Sequence, residues 1–313
     1  MKTNLSLLLL LILPLNNLFA QKEQTILLRT RTGNIEGSLL IATPNTTKTV
    51  ALIIAGSGPT DRDGNSMGVT NNSLKMLAEA LGKNGIASLR YDKRGIGKSR
   101  EAGLKEADLR FENYIDDAKG WINYLKDSLK FKKIVVIGHS EGSLIGMIAS
   151  QDKNATKFIS IAGAGQTADQ LIREQFKKQP ASVTAPVNAI LDDLAKGKIV
   201  ENTPPQLISL FRLSVQPYMI SWIKYDPQKE IAKLKIPVLI IQGTTDIQIS
   251  LADADRLSRA LPKARLVKIE GMNHIMKPAP ADRQQNIATY MQSDLPIKKE
   301  LIDNLVPFIL NNK

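Results

Sequence analysis

The order of apolar runs predicts an α/β fold: a mostly parallel sheet with antiparallel strands at its N-terminal end, helices on both faces and a helical insertion. Three observations carry this expectation. Short apolar, β-branched runs alternate with longer segments that are apolar on one side only. Most of the runs are apolar throughout, as strands covered on both faces must be. One connection, residues 166–236, contains no strand-like run at all.

The first twenty residues hold Lys2, the run Leu7 to Leu13 and then Leu18-Phe19-Ala20, the pattern of a secretory signal cleaved after Ala20. Pro14, Asn16 and Asn17 interrupt the apolar stretch, leaving it too short to span a bilayer about 30 Å thick. Thr25–Thr30 and Asn34–Ile41 are strand-like around a Gly33-Asn34 turn and predict an opening hairpin. Further strands are expected at Val50–Ala55, Ile86–Tyr91, Lys133–Ile137, Phe158–Ala162, Val238–Ile241 and Leu266–Ile269. Helices are expected at Ser73–Lys83, Phe111–Leu129, Ser143–Ser150 and Leu251–Leu261.

In the long connection, amphipathic segments at Ala168–Lys178, Val187–Lys196, Pro205–Leu213 and Tyr218–Tyr225 are punctuated by prolines. A stretch of that length needs structure of its own, which predicts a helical cap over the carboxyl edge of the sheet. The expected organisation is a leader at 1–20, a core built from 21–165 and 237–313, and a cap at 166–236.

The absence of cysteine excludes disulfides, thiolate metal sites and a cysteine nucleophile. The formal charge is +12, and it falls by one if Lys2 leaves with the leader. Lysines and arginines are scattered rather than gathered into a basic tract with interleaved aromatics, so no nucleic-acid partner is expected.

The chemistry centres on Gly138-His139-Ser140-Glu141-Gly142, directly behind the run Ile134–Ile137 and ahead of a helix-forming stretch. Strand, sharp turn and helix in that order form a nucleophile elbow, with Ser140 lifted to the sheet's edge. A serine hydroxyl needs a base, and the chain has two histidines. His139 adjoins the nucleophile on the turn, where the two side chains diverge, which assigns it to packing. His274, in a loop after the Leu266–Ile269 run, is the expected base. The acid that orients it should lie between serine and histidine. Asp246, following Val238–Ile241 through Gly243-Thr244-Thr245, is preferred, Asp226 is the runner-up, and Asp253 and Asp255 are assigned to a solvated helix face.

Oxyanion donors are expected from the backbone N–H of Glu141 and from the small-residue loop after Val50–Ala55, with Ser57 first and Gly58 second. In that loop Asp61, Arg62 and Asp63 are expected to brace the chain rather than bind a metal, since no histidine is near.

Taken with the loop Gly56–Asn65, the segment Tyr91-Asp92-Lys93-Arg94-Gly95-Ile96-Gly97-Lys98-Ser99, and the pieces Gln242–Asp246 and Asn273-His274, the elbow resembles the α/β-hydrolase superfamily. Within it the likeness is to bacterial carboxylesterases grouped with serine-aminopeptidase-like hydrolases. The resemblance implies a Ser140, Asp246 and His274 triad, a helical cap and no cofactor. The chain has Ala55-Gly56 where lipase-type esterases carry a His-Gly-Gly run, which argues against a triglyceride or sterol substrate.

The resulting expectation is a secreted or periplasmic serine hydrolase of small, short-acyl carboxylic esters, with no stable membrane insertion once the leader is removed. An amidase or peptidase on the same triad is the alternative, with Glu174, Asp192, Asp193 or Glu201 receiving a peptide amine. A catalytically silent binding protein is a third, disfavoured because all three triad positions are filled.

Overall fold

The computed structural model describes residues 20–43 and 48–311. The leader read at 1–20 lies outside the described residues except for Ala20. Strands β1 (Ala20–Thr30), β2 (Gly33–Thr43), β3 (Thr49–Ile54), β4 (Ala87–Tyr91), β5 (Lys133–His139), β6 (Lys157–Ile161), β7 (Val238–Gly243) and β8 (Arg265–Ile269) form one sheet. Its order is β1-β2-β4-β3-β5-β6-β7-β8. β1 and β2 are antiparallel, β2 meets β4 antiparallel, and every later pair is parallel.

The helices are α1 (Ser73–Lys83), α2 (Phe111–Asn123), α3 (Glu141–Ala149), α4 (Ala168–Phe176), α5 (Ala181–Ala195), α6 (Ile208–Phe211), α7 (Gln216–Ile223), α8 (Pro227–Ala232), α9 (Leu251–Ala260), α10 (Arg283–Ala288) and α11 (Lys299–Leu310). Because side chains alternate across a strand, the apolar runs feed two cores. Val50, Leu52 and Ile54 face the layer that holds Phe111, Trp121, Ile122, Leu144 and Leu257. Ala51 and Ile53 face the layer that holds Leu74, Leu77, Leu81, Leu301 and Leu305.

Two local expectations are corrected. The hairpin turns at Arg31-Thr32, and Gly33 already pairs with Thr30 as the first residue of β2. Gly33 is glycine because a Cβ there would stand 2.9 Å from the Ala102 Cα. The expected helix Phe111–Leu129 stops at Asn123 and widens into a π-turn over Tyr124–Ser128. The Leu129 N–H reaches back to the Tyr124 carbonyl, and this wider turn keeps Leu125 in the core.

Helices α4, α5, α6 and α7 share a third apolar cluster that includes Ile172, Val187, Leu191, Phe211 and Met219. α8 instead packs on α3 and α9 beside the sheet. The helical layer is fastened to α2 through Phe111, whose ring stacks on Trp222 at 6.0 Å and lies 5.4 Å from Tyr225. The Phe111 N–H also donates to Ser221 Oγ at 2.8 Å.

Phe111→Ala, in a fully buried position, is expected to lower the unfolding free energy by about 3–5 kcal/mol. The partly exposed Leu27→Ala should stay within about 0.5 kcal/mol. Urea titrations followed by circular dichroism check both.

Candidate active site

β5 runs between β3 and β6 and ends at His139, one residue before the turn. Ser140 sits at φ 54°, ψ −122°, a backbone region that side chains other than glycine rarely adopt. Such strain costs about 1–3 kcal/mol and persists where the surroundings over-determine it. Here the Ser140 N–H donates to the Ile161 carbonyl at 3.0 Å, and the Ser140 carbonyl accepts from the Ser143 N–H at 2.9 Å. The flanking glycines have no alternative: a Cβ on Gly138 would lie 2.2 Å from the Gly142 carbonyl oxygen. One on Gly142 would lie 2.4 Å from the Ile54 carbonyl oxygen.

His274 is held by its loop. Asn273 Nδ2 donates to Thr289 Oγ1 at 2.8 Å, and Asn273 Oδ1 accepts the Lys277 N–H at 3.0 Å. His274 Nδ1 lies 2.9 Å from Asp246 Oδ2. A carboxylate only accepts, so Nδ1 carries a proton, and in the neutral imidazole Nε2 keeps its lone pair. Asp246 also accepts the N–H groups of Gln248 and Ile249 at 2.8 and 2.9 Å, and Gln242 Nε2 at 3.0 Å. Burial pushes this carboxyl up, but His274 and the two backbone donors outweigh it and hold the group below its ordinary range.

His139 packs against the same loop. Its ring centroid is 4.9 Å from that of His274, and its Nε2 donates to the His274 carbonyl at 2.8 Å. Burial, reinforced by the facing His274, pushes this imidazole from 6.5 down to about 4.

Ser140, Glu141, Ser57 and Gly58 line a cavity of about 560 Å³, walled on other sides by Tyr114, Leu144, Leu171 and Trp222. Gly56 is wedged beside the elbow, since a Cβ there would lie 3.1 Å from the Ser140 Cβ. Among the described residues the Ser57 N–H has no acceptor, and the Glu141 N–H belongs to the first turn of α3, where helices leave donors unpaired. The structure thus brings together Asp246 with His274, and Ser140 with Glu141 and Ser57. Among the described residues Ser140 Oγ and the His274 ring form no direct hydrogen bond.

The remaining candidates are otherwise engaged. Asp226 caps α8 by accepting the Gln228 N–H at 3.0 Å. Asp255 pairs with Lys268 at 2.7 Å. Asp253 is a correction, because it is buried rather than solvated: it accepts from Ser250 Oγ at 2.6 Å, the Gly165 N–H at 3.1 Å and Arg256 at 3.0 Å. Asp61 accepts the N–H groups of Asp63 and Asn65, Arg62 pairs with Asp92 and Glu36, and Asp63 pairs with Arg90.

A family model described as serine aminopeptidase, S33, matches residues 67–277, a span that takes in Ser140, Asp246 and His274. The chain belongs to that hydrolase family. It is 25% identical over 262 residues to the esterase EstD of Thermotoga maritima, a match covering 82% of this chain and 60% of that protein. The chain therefore spans about three fifths of that relative's length. Its fold is similar to that of Est1E from Butyrivibrio proteoclasticus, solved with ferulic acid bound, at a TM-score of 0.62 and 18% identity, covering 91% of this chain and 99% of that one. An esterase from Pyrococcus furiosus gives a TM-score of 0.58 at 18% identity, covering 92% and 90%.

Two residues beside this cluster were not singled out from the sequence. Gln242 is fully buried and bonds both Asp246 and the Ile249 carbonyl. Its signal was an amide at the end of an otherwise apolar strand. Lys93 lies 1% exposed against the Gly56 carbonyl, and its signal was a charged run following a buried strand.

The His139 ring ties stability to pH. Below 6.5 the unfolded chain takes up a proton that the native ring refuses until about 4, so this contribution is present above 6.5 and is lost as pH falls towards 4. His139→Gln should remove a loss on the order of 3 kcal/mol across that window. Urea titrations at a series of pH values check this, and a slope unchanged from wild type would contradict it.

Proposed function

We propose that this protein is an exported serine hydrolase that cleaves short-acyl carboxylic esters through an acyl-enzyme on Ser140, His274 and Asp246. The observation that carries the reading is the Asp246 and His274 pair at 2.9 Å, which leaves Nε2 as a base behind a strained serine. His274 takes the Ser140 proton as Oγ attacks the ester carbonyl, and the ionised Asp246 stabilises the imidazolium. The Ser140 to His274 hydrogen bond belongs to the substrate complex, where catalytic contacts tighten. The N–H groups of Glu141 and Ser57 receive the oxyanion. His274 then returns the proton to the departing alcohol, and a water activated by the same ring releases the acid.

A cavity of about 560 Å³ suits a small-molecule substrate. The charges in and beside it favour an ester over a peptide with a free amine. Receiving an ammonium requires an unpaired carboxylate in the cavity, and those that line it, Glu141 and Glu106, are paired with Lys93 and Arg212. Glu174, Asp192, Asp193 and Glu201 are not among the residues that line it. Export rests on Lys2, the run Leu7 to Leu13 and Ala20, and N-terminal sequencing of the mature protein tests it.

A fluorophosphonate probe should label wild type and not Ser140→Ala. Asp246→Asn should lower kcat by roughly 10⁴ while the fold is retained. Nitrophenyl esters of rising acyl length, run beside aminoacyl nitroanilides, should give the highest kcat/KM at the shortest esters. Higher values on the anilides would overturn the ester reading, and no labelling of wild type would overturn the serine mechanism.

A further inference from the structure

The segment after β4 is charged and yet buried: Asp92, Lys93 and Arg94 are 3%, 1% and 8% exposed. Asp92 is matched by Arg62 at 2.7 Å, and Arg94 by Asp117 at 2.8 Å. Lys93 has a different set of partners. Its ammonium donates to the Gly56 carbonyl at 2.6 Å, lies 3.4 Å from Glu141 Oε1 and stands 4.9 Å from the centre of the Tyr114 ring. An ammonium is costly to bury, and an apolar side chain of the same length would fill the space with less desolvation.

The carbonyl that Lys93 grips belongs to the same peptide plane as the Ser57 N–H. In a trans peptide those two groups point in opposite directions. Holding the oxygen on Lys93 therefore turns the N–H the other way, and Ser57 lines the cavity beside Ser140. Glycine at 56 leaves this plane otherwise easy to rotate. A donor on the carbonyl also polarises the amide and makes its N–H a stronger donor. The second partner, Glu141, is the residue whose own N–H lies at the start of α3.

We propose that Lys93 is a positioning residue of the oxyanion hole, pinning the Gly56–Ser57 peptide and the Glu141 turn so that both N–H groups converge above Ser140. This rests on the reading of Ser57 and Glu141 as the oxyanion donors. Lys93 forms part of the cavity wall, and in this role its ammonium acts through the peptide that it holds.

The test compares wild type, Lys93→Met, Lys93→Ala and the double variant Lys93→Met/Glu141→Gln, which leaves no lone buried carboxylate. With nitrophenyl acetate, Lys93→Met should lose about 100-fold in kcat, the scale of one missing oxyanion donor, with KM within about threefold. Affinity for a trifluoromethyl ketone, whose adduct carries the oxyanion, should fall by a similar factor. Propylamine added to Lys93→Ala should restore part of kcat and should do nothing for Lys93→Met.

If Lys93→Met fails to fold, the double variant carries the same expectation. A folded variant with kcat within about twofold of wild type overturns the proposal, as does a loss confined to KM or an absence of amine rescue. Wild-type activity and Ser140-dependent labelling in the same series separate these outcomes from failure of the serine mechanism.

Discussion

Everything at the site depends on how closely α3 approaches the ends of β3 and β5. The helix can sit there because Gly138 and Gly142 present no side chain to the carbonyls they meet. That approach forces Ser140 into its strained backbone and starts α3 at the next residue, so one turn both raises a hydroxyl and exposes a helix N-terminus. The Gly56 loop then packs on the Ser140 Cβ, and His139, at the strand's last position, reaches the His274 carbonyl. The Ser140 turn, the Gly56 loop and the His274 loop are thus referred to a single corner of the sheet.

Charge around this corner is sorted by burial. Asp246 remains ionised because backbone donors and the imidazole outweigh its desolvation. His139, equally enclosed but without a carboxylate partner, stays neutral and puts no positive charge against the His274 ring. The buried Tyr114 and Tyr218 phenols are pushed upward by burial and by the nearby Glu141, so the cavity wall gains no further anion from them. The result is one polarised axis, from Asp246 through His274, in surroundings that otherwise pair their charges.

Much of the arrangement was legible in the sequence because it is local. The alternating apolar runs marked the sheet, and a strand-turn-helix motif marked Ser140. Asp246 and His274 were legible as candidates because each lies in a short loop after an apolar run and because His139 was set aside. What escaped was set by distant neighbours. The Gly33 glycine marked no turn, because it is needed in β2 to clear Ala102. Asp253 looked like a surface residue of an amphipathic helix, yet it is buried to satisfy Gly165 and Ser250. Lys93 and Gln242 stand out locally only as polar residues beside apolar strands, and what they hold could not be read there, since their partners at Gly56 and Asp246 are reached across the tertiary fold or around a loop.

The stacking of Phe111 on Trp222 has a consequence for how the molecule can be observed. The chain holds two tryptophans, and they report on different layers. Trp121 is enclosed in the sheet core, in edge contact with Tyr124. Trp222 lines the cavity from the helical layer. Intrinsic emission therefore carries two separable signals: an inner indole shielded from aqueous quenchers, and an outer one whose spectrum responds to whatever enters the cavity.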